Sequence, residues 1–479
     1  MNRRFCFTAF LLLLSAPFVR AQSSEGHLVT AKIKGLANKT AYLAHFYGQT
    51  QFTPRDTATA DAEGRLVFDG PKELPGGLYM IVVDAKPVLQ LVIGEQRFSI
   101  EADTVNVIES MKVTGSRENE LFYGYQKFLS KKYGEISALQ KSGGSASQIA
   151  AGQKEVEAYR KDFMAKNANT LTVKLFRAAE EPEIPEAPKL ANGRPDSNFV
   201  FNYYRNHFLD GFDFSDERLM RTHFLQTKLD RYLKELTVQT VDSLIPAADY
   251  LVNKAKANKE ILQYTIWYIT NQYEEQKKVL NTDGLFIHMA EKYWLTGVMP
   301  VSDTSTLTSM RDRVKILKPL LAGKTLPNVS LKDTLGRFQA LHNVKAEYTI
   351  TFFYDPECGH CRESAPALKK FYDKHKAKGV QIYAVAIGKT EAIWKKFIRE
   401  FKLQSLLNVY GPSAPVDYKT KYDVYSTPTV YVLDKDKKIL ARRLPVEDLE
   451  GYFNFLQQQK MTKKPAPMKD AKASVKGKP

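Results

Sequence analysis

The spacing of apolar residues changes twice along this 479-residue chain, and no single fold satisfies all three regimes. From about 25 to 115 the period is two. Val29, Ala31 and Ile33 alternate with Thr30, Lys32 and Lys34, as a strand with one buried face requires. Leu66-Val67-Phe68, Leu78 to Val83, Val88 to Ile93 and Arg97 to Glu101 follow between turns such as Asp61-Ala62-Glu63-Gly64. Short strands with Gly/Pro punctuation predict an all-β, sandwich-like domain over 22–116. It shows no acid pair, His cluster or Gly-rich phosphate loop, so a scaffold or docking role is expected.

From 117 to 305 the period becomes helical. Leu121, Phe122, Tyr125, Phe128, Leu129 and Tyr133 mark one helix face, and Phe224, Leu225, Leu229, Tyr232, Leu233 and Leu236 another. Prolines 182, 185, 188 and 195 break this central α-helical segment with a loop. The aromatic cluster Tyr203, Tyr204, Phe208, Phe212 and Phe214 is expected to be packing core. Over 318–459 strands and helices alternate, the pattern of an α/β domain. Thr349 to Tyr354 and Val380 to Ile387 read as buried strands, Ile393 to Phe401 as an amphipathic helix. Thr429 to Leu433 and Lys438 to Ala441 read as a hairpin across Asp434-Lys435-Asp436-Lys437. The chain is therefore expected to be multidomain, with the three regions as separate domains.

A net charge of +17 invites a nucleic-acid reading, but its distribution argues against one. Residues 1–21 hold Arg3, Arg4 and Arg20 and no acid, and residues 460–479 hold seven lysines and one aspartate. The 438 residues between keep only +8, with no Arg-rich stripe for a groove. No nucleic-acid partner is expected. The basic segment 460–479 is Lys/Pro/Ala-rich and is expected to be disordered. At the other end, Arg3 and Arg4 precede the apolar run Phe5 to Leu14, and Val19-Arg20-Ala21 resembles a cleavage site. That predicts a signal peptide over 1–21, a mature chain with no transmembrane segment, and a periplasmic location in the cell envelope.

Cleavage there would remove Cys6 and leave two of the three cysteines, Cys358 and Cys361. They lie in Cys358-Gly359-His360-Cys361, directly after an apolar strand and at the opening of a helix. A helix N-terminus offers unpaired N–H groups and about half a positive charge, which favours thiolate over thiol. Cys358 is accordingly expected to be the nucleophile, and Cys361, one turn further on, to resolve a mixed disulfide. A structural disulfide would close too small a loop to constrain the unfolded chain much. A zinc site lacks two ligands, His342 and His375 being poorly spaced, and a c-type haem site would need His where Arg362 stands.

The C-terminal region resembles the TlpA/ResA-like thiol–disulfide oxidoreductases of the thioredoxin-fold family. The likeness rests on Gly323 to Leu331, on Phe352-Phe353-Tyr354-Asp355-Pro356-Glu357 leading into the dithiol, and on Ser426-Thr427-Pro428-Thr429 before a strand. The whole chain resembles envelope proteins that place a β domain of unknown function and a helical segment ahead of such a domain. The resemblance implies a thioredoxin fold over 318–459, with Pro428 cis and beside the dithiol, and Thr427 offering its backbone to a substrate segment. His360, in the Gly-His pair of protein disulfide isomerases, is expected to raise the redox potential above thioredoxin's. Phe352 stands where thioredoxin has a buried Asp, and Ser364 where some members have Glu. The adjacent Glu363 offers a carboxylate, either as proton acceptor or as an ordinary solvated charge.

Rival motifs fail. A peroxiredoxin would need Pro and Thr or Ser where Thr351 and Asp355 stand, and neither Gly-Lys-Thr triplet has the preceding Gly of a phosphate loop. The expected function is disulfide exchange with envelope proteins, with a membrane electron donor as partner. No dissociable cofactor is expected, because the electrons reside in the Cys358–Cys361 pair. The competing expectation is a non-catalytic binding protein for a glycan or peptide, with a vestigial dithiol.

Overall fold

The structure is a computed structural model and describes residues 26–274, 281–301, 303–388 and 390–463. The expected signal peptide lies outside these residues, as does the expected disordered tail beyond Lys463. The chain divides into two compact units, before and after Lys228–Leu229, inside the segment that reads as one helical run.

The first unit holds β1 (His27–Lys34), β2 (Thr40–Tyr47), β3 (Gln51–Thr59), β4 (Arg65–Gly70), β5 (Gly77–Val83), β6 (Lys86–Ile93), β7 (Arg97–Asp103) and β8 (Lys112–Thr114). They form two four-stranded sheets, ordered β4-β1-β7-β8 and β3-β2-β5-β6. Alternation decides which side chains go in: Val29, Ala31 and Ile33 of β1 and Leu66 and Phe68 of β4 are fully buried. The short helix α1 (Val107–Ser110) precedes α2 (Arg117–Lys141), α3 (Ala146–Lys166), α4 (Leu171–Ala179) and α5 (Phe199–His207). Asn119 of α2, fully buried, accepts from Val92 N at 2.9 Å and donates to Val92 O at 2.7 Å. Its amide thus pairs the backbone at the β6 edge of that sheet, which would otherwise stay open. Of the aromatic cluster expected to be packing core, Phe208, Phe212 and Phe214 are buried, whereas Tyr203 and Tyr204, on α5, are only half-buried.

Helix α6 (Phe224–Lys234) crosses the division. The second unit continues with α7 (Val241–Ala255), α8 (Lys259–Glu274), α9 (Asp283–Met289) and α10 (Thr304–Leu317). Phe286, Ile287, Ala290, Val314 and Leu317 bury one another where α9 and α10 meet. Then come β9 (Ser330–Asp333), β10 (Phe338–Ala340), β11 (Tyr348–Tyr354), α11 (Gly359–His375), β12 (Val380–Ala386), α12 (Glu391–Glu400), β13 (Leu407–Tyr410), α13 (Tyr418–Tyr422), β14 (Thr429–Leu433), β15 (Ile439–Arg442) and α14 (Leu449–Lys463). The last helix runs past residue 460, into the segment expected to be disordered. Lys460 explains the extension, since it pairs with Glu347 and lies 4.9 Å from the Tyr348 ring centre. Among the described residues no helix is long and apolar enough to cross a membrane.

The seven strands form one sheet, ordered β10-β9-β13-β12-β11-β14-β15. β11, β12 and β13 are parallel, whereas β14 runs antiparallel to β11 and to β15. β11 is buried along its whole length: Ile350, Phe352 and Tyr354 face one core, and Phe353 faces the other. A strand covered on both faces needs a continuous apolar run, which Tyr348–Tyr354 supplies. This is a thioredoxin fold.

Candidate active site

Register alone brings the two critical segments together. β11 runs toward Cys358, and antiparallel β14 starts at Thr429, which pairs with Phe353. The residues after β11 and those before β14 therefore emerge at the same end of the sheet, and each brings a backbone turn. Cys358 is the N-cap of α11, with extended φ and ψ of −73° and 125°. Thr427–Pro428 is a cis peptide. Across the gap the Cys358 thiol donates to the Thr427 carbonyl oxygen at 3.3 Å.

The two sulfurs have opposite surroundings. Cys358 is half-buried and Cys361 fully buried, and both are free thiols. Burial raises the Cys358 thiol. The Thr427 side chain, the Cys361 backbone N–H and thiol, and the His360 backbone N–H outweigh that and hold it below its ordinary value. Each stabilises the thiolate by pointing a partial positive charge at it, as the first turn of a helix does. Cys361 is pushed up to about 12, by burial first and then by the neighbouring Cys358. One sulfur is reachable and shifted toward the thiolate; the other is buried and shifted toward the thiol. That asymmetry separates an attacking thiol from a resolving one.

His360 and Glu363 point away from this pair. Their side chains are 85% and 78% exposed, with His360 Nδ1 3.4 Å from Glu363 Oε2. What residue 360 brings to Cys358 Sγ is its backbone N–H. Glu363 faces His360 in solvent, whereas Cys361 lies in the core. Phe352 is fully buried, and the Ser364 hydroxyl donates to the Cys361 carbonyl at 3.3 Å.

A buried charge cluster, invisible in the sequence reading, lies behind the cis-proline turn. Arg442, at the end of β15, is fully buried and grips both Asp283 carboxylate oxygens, one through Nε at 2.6 Å. Its Nη1 reaches Asp423 at 2.8 Å. Asp423 also takes Arg443, at 2.7 Å, and Arg313 of α10. Burial would raise the Asp423 carboxyl, but Arg313, Arg443 and Arg442 hold it below its ordinary value. Three arginines on two carboxylates tie helices α9 and α10 to the residues just before Thr427. The partners stand 19 and 159 residues from Arg442, so no local spacing announces them. The one available signal was an arginine ending the apolar run Ile439-Leu440-Ala441.

A two-cysteine turn at the start of a helix, facing a cis proline at the end of a thioredoxin sheet, defines a thiol–disulfide exchange protein. Comparison with known proteins agrees. Residues 322–442 match the AhpC/TSA family, 152–317 a domain of unknown function (DUF5106), and 27–122 another (DUF4369). Thiol-disulfide oxidoreductase ResA of Bacillus cereus is 31% identical over 138 residues, covering 27% of this chain and 76% of that protein. ResA of Bacillus subtilis is 27% identical over 144 residues, covering 28% and 75%. A solved domain of a possible thiol-disulfide isomerase from Cytophaga hutchinsonii is 42% identical, with a TM-score of 0.29, covering 30% of this chain and 99% of that one. The chain belongs to the ResA family of thiol-disulfide oxidoreductases.

Proposed function

We propose that the chain exchanges disulfides with envelope proteins in the periplasm through Cys358 and Cys361. The observation that carries this is the reachable, thiolate-favouring Cys358 at 3.3 Å from the Thr427 carbonyl, with Cys361 protonated behind it. The Cys358 thiolate attacks one sulfur of a substrate disulfide, and the other sulfur leaves as thiolate and takes a proton from water. Cys361 then loses its proton, attacks Cys358 Sγ and expels the substrate's second sulfur, which is protonated in turn. The substrate gains two electrons and two protons; the protein keeps the Cys358–Cys361 disulfide. Thr427 and Pro428 border the place where the substrate sulfur must sit. A membrane electron donor returns the pair to dithiol, and no dissociable cofactor takes part.

Export is supported by Arg3 and Arg4 before the apolar run Phe5 to Leu14. The test combines activity and capture. The wild type should reduce insulin, Cys358→Ser should fall to the uncatalysed rate, and Cys361→Ser should accumulate mixed disulfides with periplasmic proteins. Equal insulin reduction by the wild type and Cys358→Ser would end this reading.

A further inference from the structure

A cleft of about 1040 Å3 opens beside the dithiol, within the second unit. It reaches His360 on the first turn of α11 and Pro428, next to the carbonyl that holds Cys358. Its far wall comes from outside the thioredoxin fold. Helix α10 turns Ser305, Thr306, Ser309, Met310 and Arg313 into it, residues spaced so that they share one helix face. Val314 and Leu317 anchor the same helix in its own core. Arg313, held by Asp423, lies 5.7 Å from the centre of the Tyr425 ring, which is 56% exposed.

We propose that this cleft is a specificity site for an extended polypeptide segment whose disulfide meets Cys358, with apolar residues beside the cysteine and no acidic ones. The proposal rests on the disulfide-exchange reading above and names its substrate class. Four observations support it. The cleft is lined by His360, two residues from Cys358, and by Pro428, next to the Thr427 carbonyl that meets the Cys358 thiol. Its volume is at the top of the roughly 300–1,000 Å3 typical of small-molecule sites, far more than a disulfide alone would fill. Met310, Tyr425, Pro428 and Pro445 leave apolar surface open along it. The lining sets three carboxylates, Glu274, Glu363 and Glu447, against two cations, Arg313 and Arg443, and those cations are already engaged, Arg313 by Glu274 at 3.9 Å and by Asp423, Arg443 by Asp423. A like charge brought against the rim is repelled, and this is how a site rejects a wrong partner.

The test uses the reduced full-length chain and two peptides, each joined to a fluorescent reporter thiol by a disulfide. One has Leu on both sides of the cysteine and the other Asp. Dithiothreitol supplies the chemical reference ratio. The wild type should favour the Leu peptide by about tenfold or more beyond that reference, the scale of discrimination that one apolar contact supplies. Ser309→Lys, at an exposed position, and Met310→Lys should each bring the ratio to within about threefold of it, by placing a cation on the wall. A fall in folded fraction lowers both rates and leaves the ratio unmoved, so structural damage cannot imitate the result. A wild-type ratio equal to the reference, or one unchanged in both variants, would overturn the proposal alone. Failure to reduce either peptide would overturn the disulfide-exchange reading and this inference with it.

Discussion

Cys358 differs from an ordinary cysteine by a handful of dipoles. The backbone N–H groups of His360 and Cys361 and the Thr427 side chain face its sulfur, and together they exceed the cost of its partial burial. A stabilised thiolate is a stabilised reduced form, which moves the pair in the oxidising direction, the direction of the expected potential above thioredoxin's value of about −270 mV. Equilibration with glutathione buffers measures this, and a value at or below thioredoxin's would contradict it. The Gly-His pair suggests the same direction, but with the imidazole as its source. With that side chain 85% exposed, His360→Ala should change the exchange equilibrium less than about fivefold, the effect of a solvent-screened interaction. The dithiol, its place at a helix start and the turn at Pro428 were legible because each is a local pattern. The source of the tuning was not, because backbone N–H groups leave no mark in the residue types.

Among the elements, β11, β12 and the β14–β15 hairpin could be read from apolar runs, since a strand buried on both faces must be apolar throughout. The division of the helical segment could not. Helices on either side of Leu229 carry the same 3.6-residue periodicity, and that pattern reports an apolar face without saying what covers it. Within the second unit the answer lies in Arg442, Asp283 and Asp423. Asp423→Asn should cost about 3–5 kcal/mol, because it leaves buried arginines without their counter-charge. The substitution suits the backbone, since φ at this residue is +53° and Asn tolerates the left-handed region. Urea midpoints measure the loss. The sign with pH follows from the lowered Asp423 carboxyl. Its stabilisation is present above the unfolded value of about 3.9 and disappears as pH falls through the lower folded value, so the deficit of Asp423→Asn should shrink in acid. A deficit that is constant from pH 7 down to the acid transition would contradict this assignment.

At the scale of the whole molecule, the catalytic unit begins earlier than the thioredoxin pattern does. Helices α9 and α10 supply Asp283 and Arg313 to the cluster behind Thr427, and α10 forms one wall of the cleft. A fragment starting at Leu229 should therefore melt at a higher temperature than one starting at Lys318, and calorimetry of the two decides it. Equal melting temperatures would show that the helices add nothing to the fold they touch. The role of the sulfur is tested most directly in the intact reduced protein, by the rate at which iodoacetamide labels Cys358 as pH is varied. The rate should reach half its plateau below pH 8.5, the region where a free cysteine ionises. A midpoint at or above that value would mean that the helix start and the cis-proline turn do not activate Cys358.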